Sequence, residues 1–307
     1  MKEAGIDRAH SKPHLASGIG ACQAIVDLGI PYSRMDRVIY FLAFNHAELG
    51  NQKESLRYHE MLVRQYPAST FAPESLKELG DSAYDARQFP QAIAYYEQAL
   101  RRSTEDITPR LHHKIAWSHY RLRQFDQAIE SMKQVISATQ KSGERFVSLK
   151  EEGLRDIAVF MTESGKVEEA LRYFREVAGD RNYYPKLLER LGQQYERSVE
   201  PAKATQVYES LLSTNPESES AFRVRVKLVD LDLRRERFAE ALQRIQKISA
   251  VSGGGDRETQ AAAQNLRAMI RRTATEHHEK FRREAVRKDL EIAEPAPFVR
   301  SVLGRAA

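Results

Sequence analysis

A single cysteine, Cys22, stands in 307 residues, which rules out an internal disulfide and any structural zinc built from cysteine pairs. Glycine and proline are sparse, at 15 and 11 residues, so collagen-like and low-complexity chains are excluded and long helices are permitted. The longest uninterrupted apolar run, Val38 to Phe44, falls far short of the roughly 18 to 20 residues that cross a bilayer as a helix. One tryptophan is present, Trp117. What remains is a polar chain, 30% charged and 41% hydrophobic, with a mean hydropathy of -0.58.

An excess of one charge sign is lacking too. Lysine and arginine number 48 against 43 acids, a net charge of +5. The most basic stretches, Arg101 to Arg123 and Arg267 to Lys288, are still interleaved with Glu105, Asp106, Glu276, Glu279 and Glu284. A groove that tracks phosphates wants basic residues on one face with few acids between them, so nucleic-acid binding is disfavoured.

What the chain has is a period. Aligning Ser55, Ala92, Ala128, Ala170, Ala204 and Ala241 brings "ESLRYHEML", "QAIAYYEQAL", "QAIESMKQVI", "EALRYFREVA", "KATQVYESLL" and "EALQRIQKIS" into register, at offsets of 37, 36, 42, 34 and 37 residues. In each, a small residue is followed four positions on by a large one and then by further apolar residues, which share one helix face. The preceding helix, not used to set the register, checks it. Thirteen residues before each small residue stand Leu42, Leu79, Ile115, Ile157, Leu191 and Leu228, and the next position holds Ala43, Gly80, Ala116, Ala158, Gly192 and Val229. Small residues there suit two helices that nearly touch. Nineteen before come Asp36, Pro73, Pro109, Glu151, Pro185 and Phe222, and proline or an acid fits a first helical turn. Turn-prone Gly50-Asn51 and Gly165-Lys166 mark breaks between paired helices.

This pattern resembles the tetratricopeptide repeat family, whose repeat of about 34 residues places Leu-Gly and an aromatic in one helix and Ala, an aromatic and Pro in the next. The segments "APESLKELGDSAYDARQFPQAIAYYEQAL" and "YPKLLERLGQQYERSVEPAKATQVYESLLSTNP" match best. The resemblance implies an all-α fold, a right-handed α-solenoid of about six helix-turn-helix repeats with capping helices at both ends. It divides the chain into a flexible N-terminus (1–12), an N-terminal capping helix (13–35), the repeat array (36–252), a long C-terminal capping helix (253–292) and a flexible tail (293–307). The last capping helix is expected to carry Ala261, Leu266, Met269, Ile270 and Phe281 as its apolar stripe. "RQYPASTFAPESLKELGD" is more narrowly similar to envelope and periplasmic repeat proteins of Gram-negative bacteria. Those proteins carry a secretion signal, whereas Met1 to His14 has no apolar core to serve as one. The expected compartment is therefore periplasm or cell envelope by resemblance, or cytoplasm if that missing signal is genuine. Cys22 reads as a small helix residue and not as a lipidation site.

Catalytic signatures are not found: no nucleophile elbow, no dinucleotide glycine loop and no phosphate loop. His59-Glu60 is followed at the zinc-protease spacing by Val63, and His278-Glu279 by Arg282, so neither pairs two histidines on one face. His112, His113 and His119 share a helix, but His112 and His119 fall on register positions that pack, so no metal site is read there. No enzyme activity, metal or cofactor is expected.

In the resembled family the first helix of each repeat lines a concave face. Carrying its inward positions over gives Tyr40, Phe44, Lys77, Asp81, Tyr84, His113, Trp117, Tyr120 and Arg121 as partner-binding residues, followed by Arg155 and Val159. Tyrosine and tryptophan dominate binding hot spots because they offer stiff apolar area with a polar tip. Phe44 and Trp117 could equally pack against the neighbouring helix. The family's clamp for chaperone C-terminal tails needs asparagines at two register positions that read Phe44, Asp81, Trp117, Val159, Gln193 and Asp230, and Phe41, Glu78, Lys114, Asp156, Arg190 and Lys227. The clamp is missing, so chaperone tails are not the expected partner. The expectation is a non-enzymatic scaffold that binds a partner peptide or helix in its groove, in a bacterial envelope assembly. A self-assembling structural piece using the outer surface and last helix, or a nucleic-acid-binding helical repeat, stay open as alternatives.

Overall fold

The computed structural model describes residues 8–104, 106–141, 146–178, 183–217, 220–249 and 257–287. Among them the fold is all-α, fourteen helices and no strand, and it is built of helix-turn-helix repeats of the solenoid type. The chain divides into two compact units, Met1–Ser164 and Gly165–Ala307.

The first unit holds α1 (Arg8–Asp27), α2 (Met35–Glu48), α3 (Gln52–Gln65), α4 (Ala72–Asp85), α5 (Phe89–Leu100), α6 (Thr108–Arg121), α7 (Phe125–Lys141) and α8 (Val147–Ser164), each packed on its neighbours in sequence. Proline opens α4, α5 and α6 at the first or second helical position, where its missing N–H costs no ladder bond. α1 covers the first pair: Ile19, Cys22, Ile25 and Val26 pack on the core of Ile39, Leu42, Tyr58 and Leu62. This helix begins at Arg8, within the stretch expected to be flexible. Pro13 lies inside it and interrupts only a single ladder bond near its start. α8 likewise begins at Val147, ahead of the expected Glu151, because no proline marks its first turn.

The second unit holds α9 (Val167–Ala178), α10 (Tyr183–Arg197), α11 (Pro201–Thr214), α12 (Ala221–Arg234), α13 (Phe238–Ser249) and α14 (Arg257–Arg287). α14 packs on α12. Its apolar stripe runs through Ala262, Leu266, Met269 and Ile270, with Ala274 fully buried. Ala261, placed in that stripe by sequence, is exposed. One residue is a rotation of about 100° around a helix, which carries it off the face that Leu266 sets. Of the expected helix 253–292, residues 253–256 and 288–292 lie outside the described residues, as do the tail 293–307 and the side chain of Phe281.

The register is carried by close approach. Ser55, Ala92, Ala128, Ala170, Ala204 and Ala241 are all buried, as are the apolar residues thirteen positions before them. At Gly80 an added Cβ would lie 2.5 Å from the Tyr96 ring, and at Gly192 it would meet the Tyr208 ring even more closely. Each tyrosine therefore occupies the space a side chain on the facing helix would take. The pairing is graded along the sequence. Sixteen residues after Gly80 and Gly192 stand tyrosines, but after Ala43, Ala116 and Ala158 stand His59, Met132 and Phe174, and after Val229 stands Ile245.

The phenols also make polar bonds. Tyr96 donates to Asp81 Oδ1 at 2.6 Å, and Lys114 of the next first helix reaches the same oxygen at 2.9 Å. Tyr208 donates to Glu196, which Lys227 meets at 3.1 Å. Burial, and then the hydrogen bond to its acid, holds each phenol protonated well above the ordinary tyrosine range.

Five residues before each small residue the backbone passes through one left-handed position: Gly50, Arg87, Arg123, Gly165, Val199 and Glu236, with φ between 57° and 80°. The following amide closes back on the helix, as Gln88 N–H to the Ala83 carbonyl at 2.8 Å and Glu200 N–H to Tyr195 at 2.9 Å, the pattern of a Schellman cap. Only two of the six are glycine, which is why sequence marks only those two turns.

Three outcomes are expected. Gly80→Ala should cost roughly 1–3 kcal/mol by overpacking. Combined with Tyr96→Met, the partner size that Ala116 has, it should cost less than the sum of the single changes in urea melts. Val199→Gly should raise stability by about 0.5–1 kcal/mol, because the left-handed penalty of about 1–2 kcal/mol for a side-chain-bearing residue exceeds the extra entropy of an unfolded glycine. His59 is buried beside Ser75 Oγ, 3.0 Å from its Nδ1, and burial pulls its imidazole down to about 4. The folded pKa lies below the unfolded one of about 6.5, so its contribution is complete above pH 6.5 and is lost as pH falls towards 4. The loss is up to about 3 kcal/mol. His59→Gln should flatten that part of a stability-versus-pH curve.

Candidate functional site

The residues carried over from the repeat register lie on the first helices of the first unit, α2, α4 and α6. On α2, Phe44 is 47% exposed and Phe41, one turn away, 40%. The Arg37 guanidinium sits over the Phe41 ring at 5.6 Å. Phe44 is thus a surface aromatic, and the neighbouring-helix alternative does not describe it. Tyr40 is half-buried and stacks on Phe71 at 4.6 Å between ring centres, with burial raising its phenol pKa.

On α4, Lys77 is ringed by acids of its own helix, Glu74 at 3.2 Å, Asp81 at 3.5 Å and Glu78. Burial works against its charge, but the hydrogen bond to Glu78 and the three carboxylates outweigh it and raise its pKa. Asp81 is shared among Lys77, Lys114 and Tyr96. Asp81 therefore ties α4 to α5 and α6, and Lys77 is engaged within α4. Tyr84 meets Phe89 edge-on at 5.3 Å, and its hydroxyl accepts a long 3.4 Å bond from Arg121 Nε.

α6 joins the site to α8. Trp117 lies edge-on to Tyr120 and to the fully buried Phe160, with ring centres at 5.3 and 5.2 Å. Tyr120 stacks on Phe160 at 4.8 Å. Arg121, exposed, is 5.8 Å from the Trp117 ring centre. Trp117 Nε1 and His113 Nε2 both reach Asp156 Oδ2, each at 2.9 Å. The structure therefore gathers Tyr84, His113, Trp117, Tyr120 and Arg121 into one linked set. It also corrects their status: Trp117 and Tyr120 are half-buried packing residues against α8 as well as surface residues, because Phe160 fills the space behind them.

Three residues that touch this set, Asp156, Glu152 and Phe160, are not marked by the sequence pattern. Asp156 stands at a register position that bears only on the chaperone clamp, and nothing local to α8 says that it will meet His113 across the repeat. Glu152 Oε1 lies 4.0 Å from His113 Nε2, so one imidazole and two carboxylates converge with ligand atoms all within 4.8 Å of one another. Metal-ligand spacing in a sequence shows best as histidine pairs on one helix. Here the close pair consists of carboxylates on one helix, and the histidine comes from another. No described helix is long and apolar enough to cross a membrane.

Residues 77–142, which hold most of the linked set, match the sequence profile of the Tetratricopeptide repeat family. No curated protein matches the chain by sequence. Among solved structures the chain is similar to the apo form of RapI, with 12% identity, 91% of this chain and 92% of that one covered, and a TM-score of 0.44. It is also similar to YrrB, described as a TPR protein with an unusual peptide-binding site, at 14% identity, 61% and 90% coverage and a TM-score of 0.41. BtubC from P. vanneervenii gives 16% identity, 68% and 92% coverage and a TM-score of 0.38.

Proposed function

We propose that the chain is a protein-interaction scaffold without catalytic chemistry of its own, and that it holds a peptide or helix of a partner on the first-helix face of its first unit. The observation that carries this reading is the exposure of Phe41 and Phe44, at 40% and 47%, on a helix whose opposite face already buries Val38, Ile39 and Leu42. Two large aromatic rings one turn apart on a solvated face are what a partner's apolar side chains would cover. On the later first helices α4 and α6, Tyr84 and Arg121 add a polar tip and a cation, so the partner suited to these helices is amphipathic. The tetratricopeptide-repeat match over 77–142 supports the same coarse role. A bacterial envelope setting rests on the resemblance of "RQYPASTFAPESLKELGD" to envelope repeat proteins, and belongs to the proposal with it.

A displayed peptide library selected on the whole chain tests the reading. Phe44→Ser and Tyr84→Ala should each weaken the selected peptides by about thirtyfold, the loss that goes with about 2 kcal/mol at a central aromatic anchor. The far-ultraviolet circular dichroism should be unchanged. Lys186→Glu, at an exposed position of α10, should bind as the unaltered chain does. Normal binding by Phe44→Ser together with loss in Lys186→Glu would move the site to the second unit.

A further inference from the structure

We propose that His113, Glu152 and Asp156 form a binding site for a divalent metal ion of the zinc, cobalt and nickel class, with at least one coordination position left open. The site does not depend on the partner reading above. Glu152 and Asp156 are one turn apart on α8, a spacing that puts both carboxylates on one helix face, and His113 projects to them from α6. His113 Nε2 is 2.9 Å from Asp156 Oδ2 and 4.0 Å from Glu152 Oε1. Donors about 2.0–2.2 Å from a zinc ion stand about 3–3.5 Å apart. His113 Nε2 and Asp156 Oδ2, at 2.9 Å, stand just inside that separation. The Glu152 side chain, half exposed, has only to swing inward.

Two further observations point to a cation. Among the described residues no lysine or arginine pairs with either carboxylate, so two acids face one imidazole. By contrast, the nearby acid Asp81 is met by Lys77 and Lys114. Asp156 also accepts from Trp117 Nε1 at 2.9 Å, the kind of outer hydrogen bond that fixes the orientation of a ligating carboxylate. The indole itself is held by Phe160 and Tyr120. The indole donor on α6 thus presets one ligand, and the half-burial of His113 and Asp156, at 15% and 17% exposure, limits competition from water.

The donor set chooses the class of ion. One imidazole nitrogen with two carboxylate oxygens is harder than the thiolate sets preferred by copper(I). It is softer than the all-oxygen cages of magnesium and calcium. Three protein donors leave a four-coordinate ion one position for water or for a donor from a bound partner. The metal takes the Nε2 lone pair, so the imidazole binds in the tautomer that carries its proton on Nδ1.

The single tryptophan makes the test direct, since Trp117 touches a proposed ligand. Cobalt(II) added to the full chain should quench Trp117 fluorescence saturably at one equivalent, and zinc(II) should reverse the quench by competition. Glu152→Gln and His113→Gln should each raise the cobalt concentration for half-quenching at least about tenfold. The tryptophan spectrum without metal should stay native in Glu152→Gln, whose side chain is on the surface. A quench that grows linearly with cobalt, that zinc leaves untouched, or that persists unchanged in both variants would overturn the site.

Discussion

The fold depends on how close the two helices of a pair are allowed to come, and that distance is set by one side chain opposite one gap. Helix axes separate by the bulk at their contact, and interiors tolerate little surplus or deficit of volume. At Gly80 and Gly192 the gap is complete and a tyrosine ring fills it. In both pairs an acid of the facing helix receives the ring's hydroxyl. A lysine from the next first helix then closes on the same acid, Lys114 on Asp81 and Lys227 on Glu196. A packing contact within a pair thereby becomes a polar tie between pairs. The sequence repeats the arrangement about 112 residues on, with Gly80, Tyr96 and Lys114 answered by Gly192, Tyr208 and Lys227.

That contact explains why so much of the architecture is legible in the sequence. The small residue, the large one four positions on and the apolar residue thirteen before it all describe a single interface, so any one of them predicts the others. The small residue and the apolar residue thirteen before it are buried in all six repeats. The turns are legible only in part, because the left-handed residue needs no glycine when the surrounding hydrogen bonds hold it. Arg87, Arg123, Val199 and Glu236 accept the strain, and nothing in their side chains announces it. The stripe of α14 is legible only to within one residue at Ala261, where an alanine-rich stretch, "AAA" at 261–263, offers no contrast between faces. Only the larger Leu266 and Ile270 fix the rotation.

The surface residues are legible as positions but not as environments. The repeat register puts Phe44 and Trp117 at the same place in two different helices, yet one is a surface ring and the other is wedged against the next helix. The difference lies in the partner each ring finds on a later helix. Trp117 meets Phe160 of α8, a contact that no feature of α6 foretells. Tyr40 and Phe71 make the same point, since their stacking links a groove position to the residue just ahead of α4.

Long-range pairing of this kind also governs where charge can sit. Asp81 and Asp156 both face the next or preceding first helix of the first unit. Asp81 is answered by Lys114, an ordinary neutral pairing that strengthens the stack. Asp156 is answered by a histidine and an indole N–H, and Glu152 adds a second negative charge beside it. An assembly that wanted only adhesion between α6 and α8 would be served better by a lysine at 113, as 114 serves between α4 and α6. Imidazole is the weaker ion-pair partner near neutral pH and the stronger metal ligand, and its choice here leaves an unbalanced negative site in contact with the aromatic wall of Trp117 and Tyr120. The same aromatic wall that stiffens the junction between α6 and α8 therefore lies beside the group in this unit best suited to bind a cation, so occupancy of one would be felt in the packing of the other.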